Sequence, residues 1–198
     1  MFYKIVRKLA WLVTKLLFFV RIEDIQNVPC TGGAVICANH RSFWDAVLIA
    51  ASVQRPLAYI AKEELFKNKV FGYVLRKLNC YPVRRGGGDL AIVKTAISLL
   101  KSGEALVIFP EGERIRKGKK PVLKPGALRL AIMCGVPLIP VGIGGNFRLF
   151  RKMRVKAGTP LDTSVYKGKR FTDEEYNQLI GQIMDTVYHL AKTGETND

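Results

Sequence analysis

The spacing of apolar and polar positions changes period along this chain. Short runs at 34–38, 57–61, 80–83, 105–109 and 138–143 are apolar almost throughout. A strand that is apolar on both sides predicts a sheet covered on both faces, which is the habit of parallel sheets. Between these runs, residues 45–53, 63–78, 89–101 and 126–134 carry helical spacing. Residues 153–158 are a candidate further strand. A C-terminal helix is predicted over 172–191, opened by Thr172 with Glu175 three positions on, a capping-box pattern. Residues 193–198 are expected to fray. Alternating strands and helices predict one α/β domain over 23–198, with a largely parallel central sheet flanked by helices. No repeat, low-complexity tract or Ser/Gly linker interrupts it.

The first 22 residues follow another pattern. Wound as a helix, Lys4, Arg7, Lys8 and Lys15 fall on one side. Ile5, Val6, Leu9, Leu12, Val13, Leu16, Leu17 and Val20 cover the other, with Phe19 at the boundary and Trp11 and Phe18 intruding on the basic side. A basic face, a broad apolar face and interspersed aromatics predict an amphipathic helix over 1–22 lying in a membrane interface. An ordinary core-packed helix is the alternative. Lysines within the stretch disfavour a true span, and no small-residue cleavage site follows it.

Charge sharpens this picture. The chain has 198 residues, 32 Lys+Arg, 16 Asp+Glu and a formal net charge of +16, yet 48% of its residues are hydrophobic. That much apolar character excludes disorder, and the lack of repeated 20-residue apolar stretches excludes a polytopic membrane protein. The partner is polyanionic, either nucleic acid or an anionic membrane. Cys30, Cys37, Cys80 and Cys134 form no C-x-x-C pair, so a zinc site is set aside. Scattered cysteines, mostly in apolar runs, suit buried reduced thiols at a cytosolic face.

Three predicted strand ends collect polar residues, the place where open α/β sheets gather functional groups. His40 follows the first apolar run, and Asp45 lies five positions on. A carboxylate there can fix the imidazole tautomer and leave the other nitrogen to remove a proton from a hydroxyl. The bland alternative is a helix-capping Asp45 beside a turn histidine. No serine or cysteine sits in a nucleophile elbow. Direct attack by a substrate hydroxyl is the simplest chemistry, with Ser42 a formal alternative nucleophile. Arg84 and Arg85 precede three glycines, a combination suited to phosphate but equally to a solvated turn. A long basic connection from Phe109 to Gly126 holds Glu111, Gly112, Arg114 and Lys124. A second basic cluster runs from Arg148 to Lys156, more solvated or membrane-facing than site-like. His189 reads as a surface or packing residue.

Four motifs in order give these residues a common setting. Asn39-His40-Arg41-Ser42-Phe43-Trp44-Asp45 matches N-H-x4-D. Lys62, Glu63, Leu65, Phe66, Phe71, Gly72, Pro82, Val83 and Arg85 follow a second block. Phe109-Pro110-Glu111-Gly112-Glu113-Arg114 matches F-P-E-G-x-R, and Val136 to Val141 matches V-P-x-x-P-V. Lys124-Pro125-Gly126 adds a K-P-G element. Over about residues 22–160 the chain resembles the 1-acyl-sn-glycerol-3-phosphate acyltransferase (lysophosphatidic acid acyltransferase) family of the glycerolipid acyltransferase superfamily.

The resemblance implies transfer of a fatty acyl group from an acyl carrier protein or coenzyme A thioester to the sn-2 hydroxyl of a lysophospholipid acceptor, 1-acyl-glycerol-3-phosphate. The product is phosphatidic acid. His40 would be the general base and Asp45 its orienting partner. Arg85, Glu111, Gly112 and Arg114, with Lys124 and Ser42, would bind substrate. No metal or other cofactor is implied, and the enzyme would sit monotopically on the cytoplasmic face of the cell membrane. Glu113 and Arg84 depart from the residues common in the family, threonine and aspartate, and both border the expected acceptor site. Another lyso-lipid or glycerol 3-phosphate is therefore the alternative acceptor. A nucleic-acid-binding module has the charge but lacks a helix-turn-helix, RNP motif or zinc finger.

Overall fold

Seven strands pair into one sheet in the computed structural model of the chain, which describes residues 2–83, 89–115 and 121–192. They are β1 (Phe19–Glu23), β2 (Ala34–Ala38), β3 (Leu57–Lys62), β4 (Cys80–Val83), β5 (Ala105–Ile108), β6 (Leu138–Gly145) and β7 (Lys152–Ala157). Their order across the sheet is β1-β7-β6-β2-β5-β3-β4. The five strands from β6 to β4 are mutually parallel. β7 pairs antiparallel with β6, and β1 lies parallel to β7, so these two run against the rest. The sheet is thus largely parallel, as the all-apolar runs predict.

Six α-helices accompany it among the described residues: α1 (Phe2–Leu17), α2 (Trp44–Ser52), α3 (Lys69–Lys77), α4 (Asp89–Lys101), α5 (Gly126–Cys134) and α6 (Asp173–Lys192). Side chains of β2 alternate between two cores. Ala34, Ile36 and Ala38 face one with Phe18, Leu48 and Ile49, beneath α1 and α2. Val35 and Cys37 face the other with Leu99, Leu128 and Met184, beneath α4, α5 and α6. Both faces are dry, which is why the strand sequences lack a polar alternation.

α6 opens with the expected reciprocal cap. Thr172 N–H donates to Glu175 Oε2 at 2.7 Å, and Glu175 N–H donates to Thr172 Oγ1 at 3.2 Å. The predicted helix over 63–78 is divided. Residues Glu63–Phe66 form a 3-10 turn, and α3 starts afresh where the Asn68 side chain accepts the Phe71 N–H at 3.0 Å.

The N-terminal segment departs most from expectation. Its helix ends at Leu17 rather than at residue 22. Phe18 turns into the core at 4% exposure, edge-on to Trp44 and Phe147. Residues Phe19–Glu23, rich in β-formers, then pair with β7, and the Glu23 carboxylate is held by Arg154 and Arg21. The packed side of α1 also differs. Tyr3 accepts the Leu57 N–H at 3.0 Å, and Arg7 donates to Val53 O at 3.2 Å. Arg7 therefore points inward, away from the lysines. Ile5, Leu9, Leu12 and Leu16 are left as an exposed apolar stripe. Among the described residues, no helix is long and apolar enough to cross a membrane.

Candidate active site

The five parallel strands end on one edge of the sheet, and the reversed strands β1 and β7 begin there. His40 stands on this edge, two residues past the central strand β2. Asn39 fixes the exit of the chain from the sheet. Its amide donates to Ile143 O at 3.0 Å and accepts Ile143 N–H at 2.8 Å, so a side chain continues the β2–β6 ladder after the strand has ended. Arg41 Nη2 donates to the same carbonyl at 2.8 Å.

The turn that follows is closed by Asp45, which is fully buried at 0% exposure. Its Oδ2 accepts the main-chain N–H groups of Arg41 at 2.5 Å and Ser42 at 2.6 Å. The same oxygen lies 3.1 Å from His40 Nδ1. One carboxylate thus closes the turn before α2 and contacts the imidazole, without capping the helix that the sequence alternative assigns to it. With Nδ1–H directed at Asp45, Nε2 is the nitrogen left clear of the carboxylate. The His40 side chain is 21% exposed, and its ring stacks on Phe109 at a centroid distance of 4.2 Å. Ser42 Oγ accepts the Trp44 N–H at 3.3 Å, so its hydroxyl helps start α2.

The connection after β5 holds the histidine from the other side. Its first polar residue, Glu111, is only 4% exposed. Glu111 Oε2 accepts the His40 main-chain N–H at 2.6 Å, and Oε1 accepts the Tyr188 hydroxyl at 3.0 Å. Ile115 N–H donates to His40 O at 2.8 Å. Both main-chain groups of His40 are therefore bound by the 111–115 segment. Burial pushes the Glu111 carboxyl up to about 7, reinforced by the Asp45 charge and opposed by the Tyr188 and His40 hydrogen bonds and by Arg41. Burial, and next the neighbouring Glu111 charge, raises the Tyr188 phenol in turn.

Gly112 takes a left-handed φ of 69°, and the stem of Lys124 passes beside it. Lys124 N–H donates to Pro110 O at 2.8 Å, which fastens the far end of the long connection to its start. His40, Ser42, Asp45, Glu111, Gly112 and Lys124 are thereby brought together. Arg114 is exposed on the same edge. Arg85 follows β4, which ends at Val83, and lies outside the described residues. Glu111 is expected from the resemblance to bind substrate, but both its oxygens are engaged within the protein. Tyr188 carries no motif; its one sequence signal is its place on the buried side of α6, four residues past Met184. Among the described residues, no cluster of three His, Cys, Asp or Glu side chains could hold a metal ion.

The chain is similar to known acyltransferases in sequence and in fold. A family model described as Acyltransferase matches residues 19–144. A 1-acyl-sn-glycerol-3-phosphate acyltransferase of Bacillus subtilis (strain 168) is 35% identical over 148 residues, covering 72% of this chain and 73% of that protein. One from Streptococcus pneumoniae is 29% identical over 163 residues, covering 79% of this chain and 60% of its own. The crystal structure of the 1-acyl-sn-glycerophosphate acyltransferase PlsC from Thermotoga maritima superposes with a TM-score of 0.73 at 29% identity. It covers 94% of this chain and 78% of that one.

Proposed function

The chain belongs to the acyltransferase family, and from that premise we propose that it moves a fatty acyl group from a thioester to the sn-2 hydroxyl of 1-acyl-glycerol-3-phosphate. The donor thioester is carried by acyl carrier protein or coenzyme A, and the product is phosphatidic acid. The observation that carries this reading is the His40 Nδ1–Asp45 Oδ2 contact of 3.1 Å, set on the strand-end edge with Nε2 left outward.

In the proposed reaction, Nε2 takes the proton of the acceptor hydroxyl as its oxygen attacks the thioester carbonyl carbon. Proton transfer to a positioned base supplies about 10²–10⁴-fold in rate, and buried Asp45 stabilises the imidazolium that forms. The tetrahedral oxyanion then collapses, the C–S bond breaks, and the imidazolium proton passes to the leaving thiolate. Atoms balance without a serine ester, in keeping with a Ser42 hydroxyl already engaged at the start of α2. Lys124, Arg114 and Arg85 supply positive charge for the acceptor phosphate.

The lipid character of acceptor and product implies work at a bilayer surface, and free cysteines suit its cytoplasmic face. Two features support docking there. Ile5, Leu9, Leu12 and Leu16 form an exposed apolar stripe on α1, beside Lys4, Lys8 and Lys15. At the catalytic edge, the turn between β6 and β7 projects Leu149 and Phe150, flanked by Arg148, Arg151 and Lys152. Phe150 holds a left-handed φ of 60°, which is rare for a bulky residue, and its N–H donates to Leu17 O at 2.7 Å. The turn thus adjoins the C-terminal end of α1. Each Lys or Arg near an anionic leaflet contributes about 1 kcal/mol. A stripe of exposed leucines serves a bilayer better than nucleic acid, whose binding rests on phosphate charge and aromatic stacking.

The test is incubation of the purified chain with labelled acyl thioesters and a panel of lyso-lipids and glycerol 3-phosphate, with product identification. Phosphatidic acid from 1-acyl-glycerol-3-phosphate is expected. Acylation of another acceptor alone would replace the assignment.

A further inference from the structure

The geometry points to Tyr188 as a positioning residue for His40, acting through Glu111 from a helix outside the region that the family model matches. Residues 19–144 carry that match, whereas Tyr188 lies near the end of α6. Its hydroxyl nonetheless donates to Glu111 Oε1 at 3.0 Å, and the other oxygen of that carboxylate accepts the His40 main-chain N–H at 2.6 Å. The three residues form an unbroken chain of hydrogen bonds from α6 to the backbone of the base.

The link is stiff because α6 has little freedom to shift. Its last turn sits directly on the backbone of β6. A Cβ added at Gly142 would meet Ala191 N at 2.4 Å, and one at Gly144 would meet Ala191 O at 2.0 Å. Met184 and Val187, on the turns leading to Tyr188, are fully buried. The tyrosine is thus delivered to a fixed point over the sheet, and Glu111 cannot move toward solvent without breaking its bond.

The other groups facing Glu111 explain why a donor is useful there. Asp45 brings a like charge, Arg41 an opposite one, and buried Cys37 lies close enough to feel the carboxylate. Tyr188 itself also feels Asp185. A carboxylate in this setting resists ionisation. A phenolic O–H on one oxygen favours the charged form, and a charged acceptor binds the His40 N–H about twice as strongly as a neutral one. Tyr188 thereby shifts Glu111 toward the ionised form, and ionised Glu111 holds the His40 backbone more firmly.

This rests on the reading of His40 as general base, and Tyr188→Phe tests it with the ring packing retained. The variant is expected to lose about tenfold in kcat with KM for both substrates nearly unchanged. The acid limb of its pH–rate profile should move up by about one unit, since Glu111 loses a partner that favours ionisation. In a Glu111→Gln background the same change should move neither quantity. A second measurement does not depend on turnover: the His40 amide resonance should titrate with Glu111, and its midpoint should rise in Tyr188→Phe. If wild type transfers no acyl group, the assignment of His40 falls, while the amide titration still decides the link. An unmoved acid limb and an unmoved amide midpoint, with only a lower Tm, would overturn the role of Tyr188.

Discussion

Asp45 Oδ2 lies 3.1 Å from His40 Nδ1 while also accepting the main-chain N–H groups of Arg41 and Ser42 at 2.5 and 2.6 Å. In the proposed mechanism the same oxygen has a structural and a chemical duty, and two substitutions separate them. Asp45→Asn keeps an oxygen for the turn but removes the charge that stabilises the imidazolium. It should fold and bind vesicles while losing on the order of 10²-fold or more in kcat. Asp45→Ala leaves two donors unmet, at about 1–3 kcal/mol each, and should lose stability as well. His40→Ala removes the Asp45 contact and the Phe109 stack but leaves both main-chain bonds of the turn, so it should lose activity like Asp45→Asn and lose less Tm than Asp45→Ala. Near-normal turnover in His40→Ala would remove the general base from the mechanism.

Glu111 should set stability and catalysis against each other along the pH axis. Its carboxyl is raised from 4.5 to about 7, chiefly by burial, so the folded chain holds that proton more tightly than the unfolded one. The stabilisation from this proton is full below about 4.5 and is lost as pH rises through about 7, a swing on the order of 3 kcal/mol. Catalysis, in contrast, should favour the ionised form that grips His40. Urea unfolding of wild type and Glu111→Gln at pH 5 and pH 8 isolates the effect. Relative to wild type, the variant should gain stability as pH rises. A relative loss would contradict burial as the dominant cause.

The parts of this molecule that were legible in the sequence are those fixed by near neighbours. β2, β5 and β6 are apolar on both sides because both sheet faces are covered, and that signature needs no tertiary knowledge. His40 and Asp45 are likewise five positions apart, within reach across one turn. The end of α1 was not legible. Residues 18–22 contain no glycine or proline, and an apolar run fits a continued helix until β7 supplies a partner for its backbone. The inward turn of Arg7 needs the Val53 carbonyl, 46 positions away. Glu111 meets main-chain and phenolic donors, 71 and 77 positions distant, that no motif displays. Short-range contacts could thus be read from residue types, while their support came from distant segments with no pattern of their own.

The seating of α6 predicts a severe effect from a small change. A methyl group at Gly144 would stand 2.0 Å from Ala191 O, a main-chain atom that cannot rotate aside. Gly144→Ala should destabilise by about 1–3 kcal/mol or more and lift the end of α6. Activity per folded molecule should drop too, since Tyr188 rides on that helix. Gly181 has open space around its Cβ position, so Gly181→Ala serves as the control and should leave Tm and kcat near wild type or slightly stabilise the helix. Equal behaviour of the two variants in urea unfolding would refute the close-contact argument.

Leu16 and Phe150 expose 64% and 66% of their surface, yet they belong to elements joined by the Phe150 N–H to Leu17 O hydrogen bond. An aromatic held in a strained left-handed turn, outward and beside arginines, gains nothing in water. Inserted at a bilayer surface, each such side chain gains about 1.5–3 kcal/mol, so Leu16→Ser and Phe150→Ser should each weaken vesicle binding about tenfold or more. The turn variant should leave the His40 site and the Tm unchanged, because Phe150 is not part of the core. Replacing Lys4, Lys8 and Lys15 by Gln should weaken binding to anionic vesicles and spare neutral ones, in a salt-dependent way. Co-sedimentation across vesicle compositions checks all three. Binding unaffected by either apolar change would move the docking surface elsewhere, and α1 would then be a packing helix whose outer face has another use.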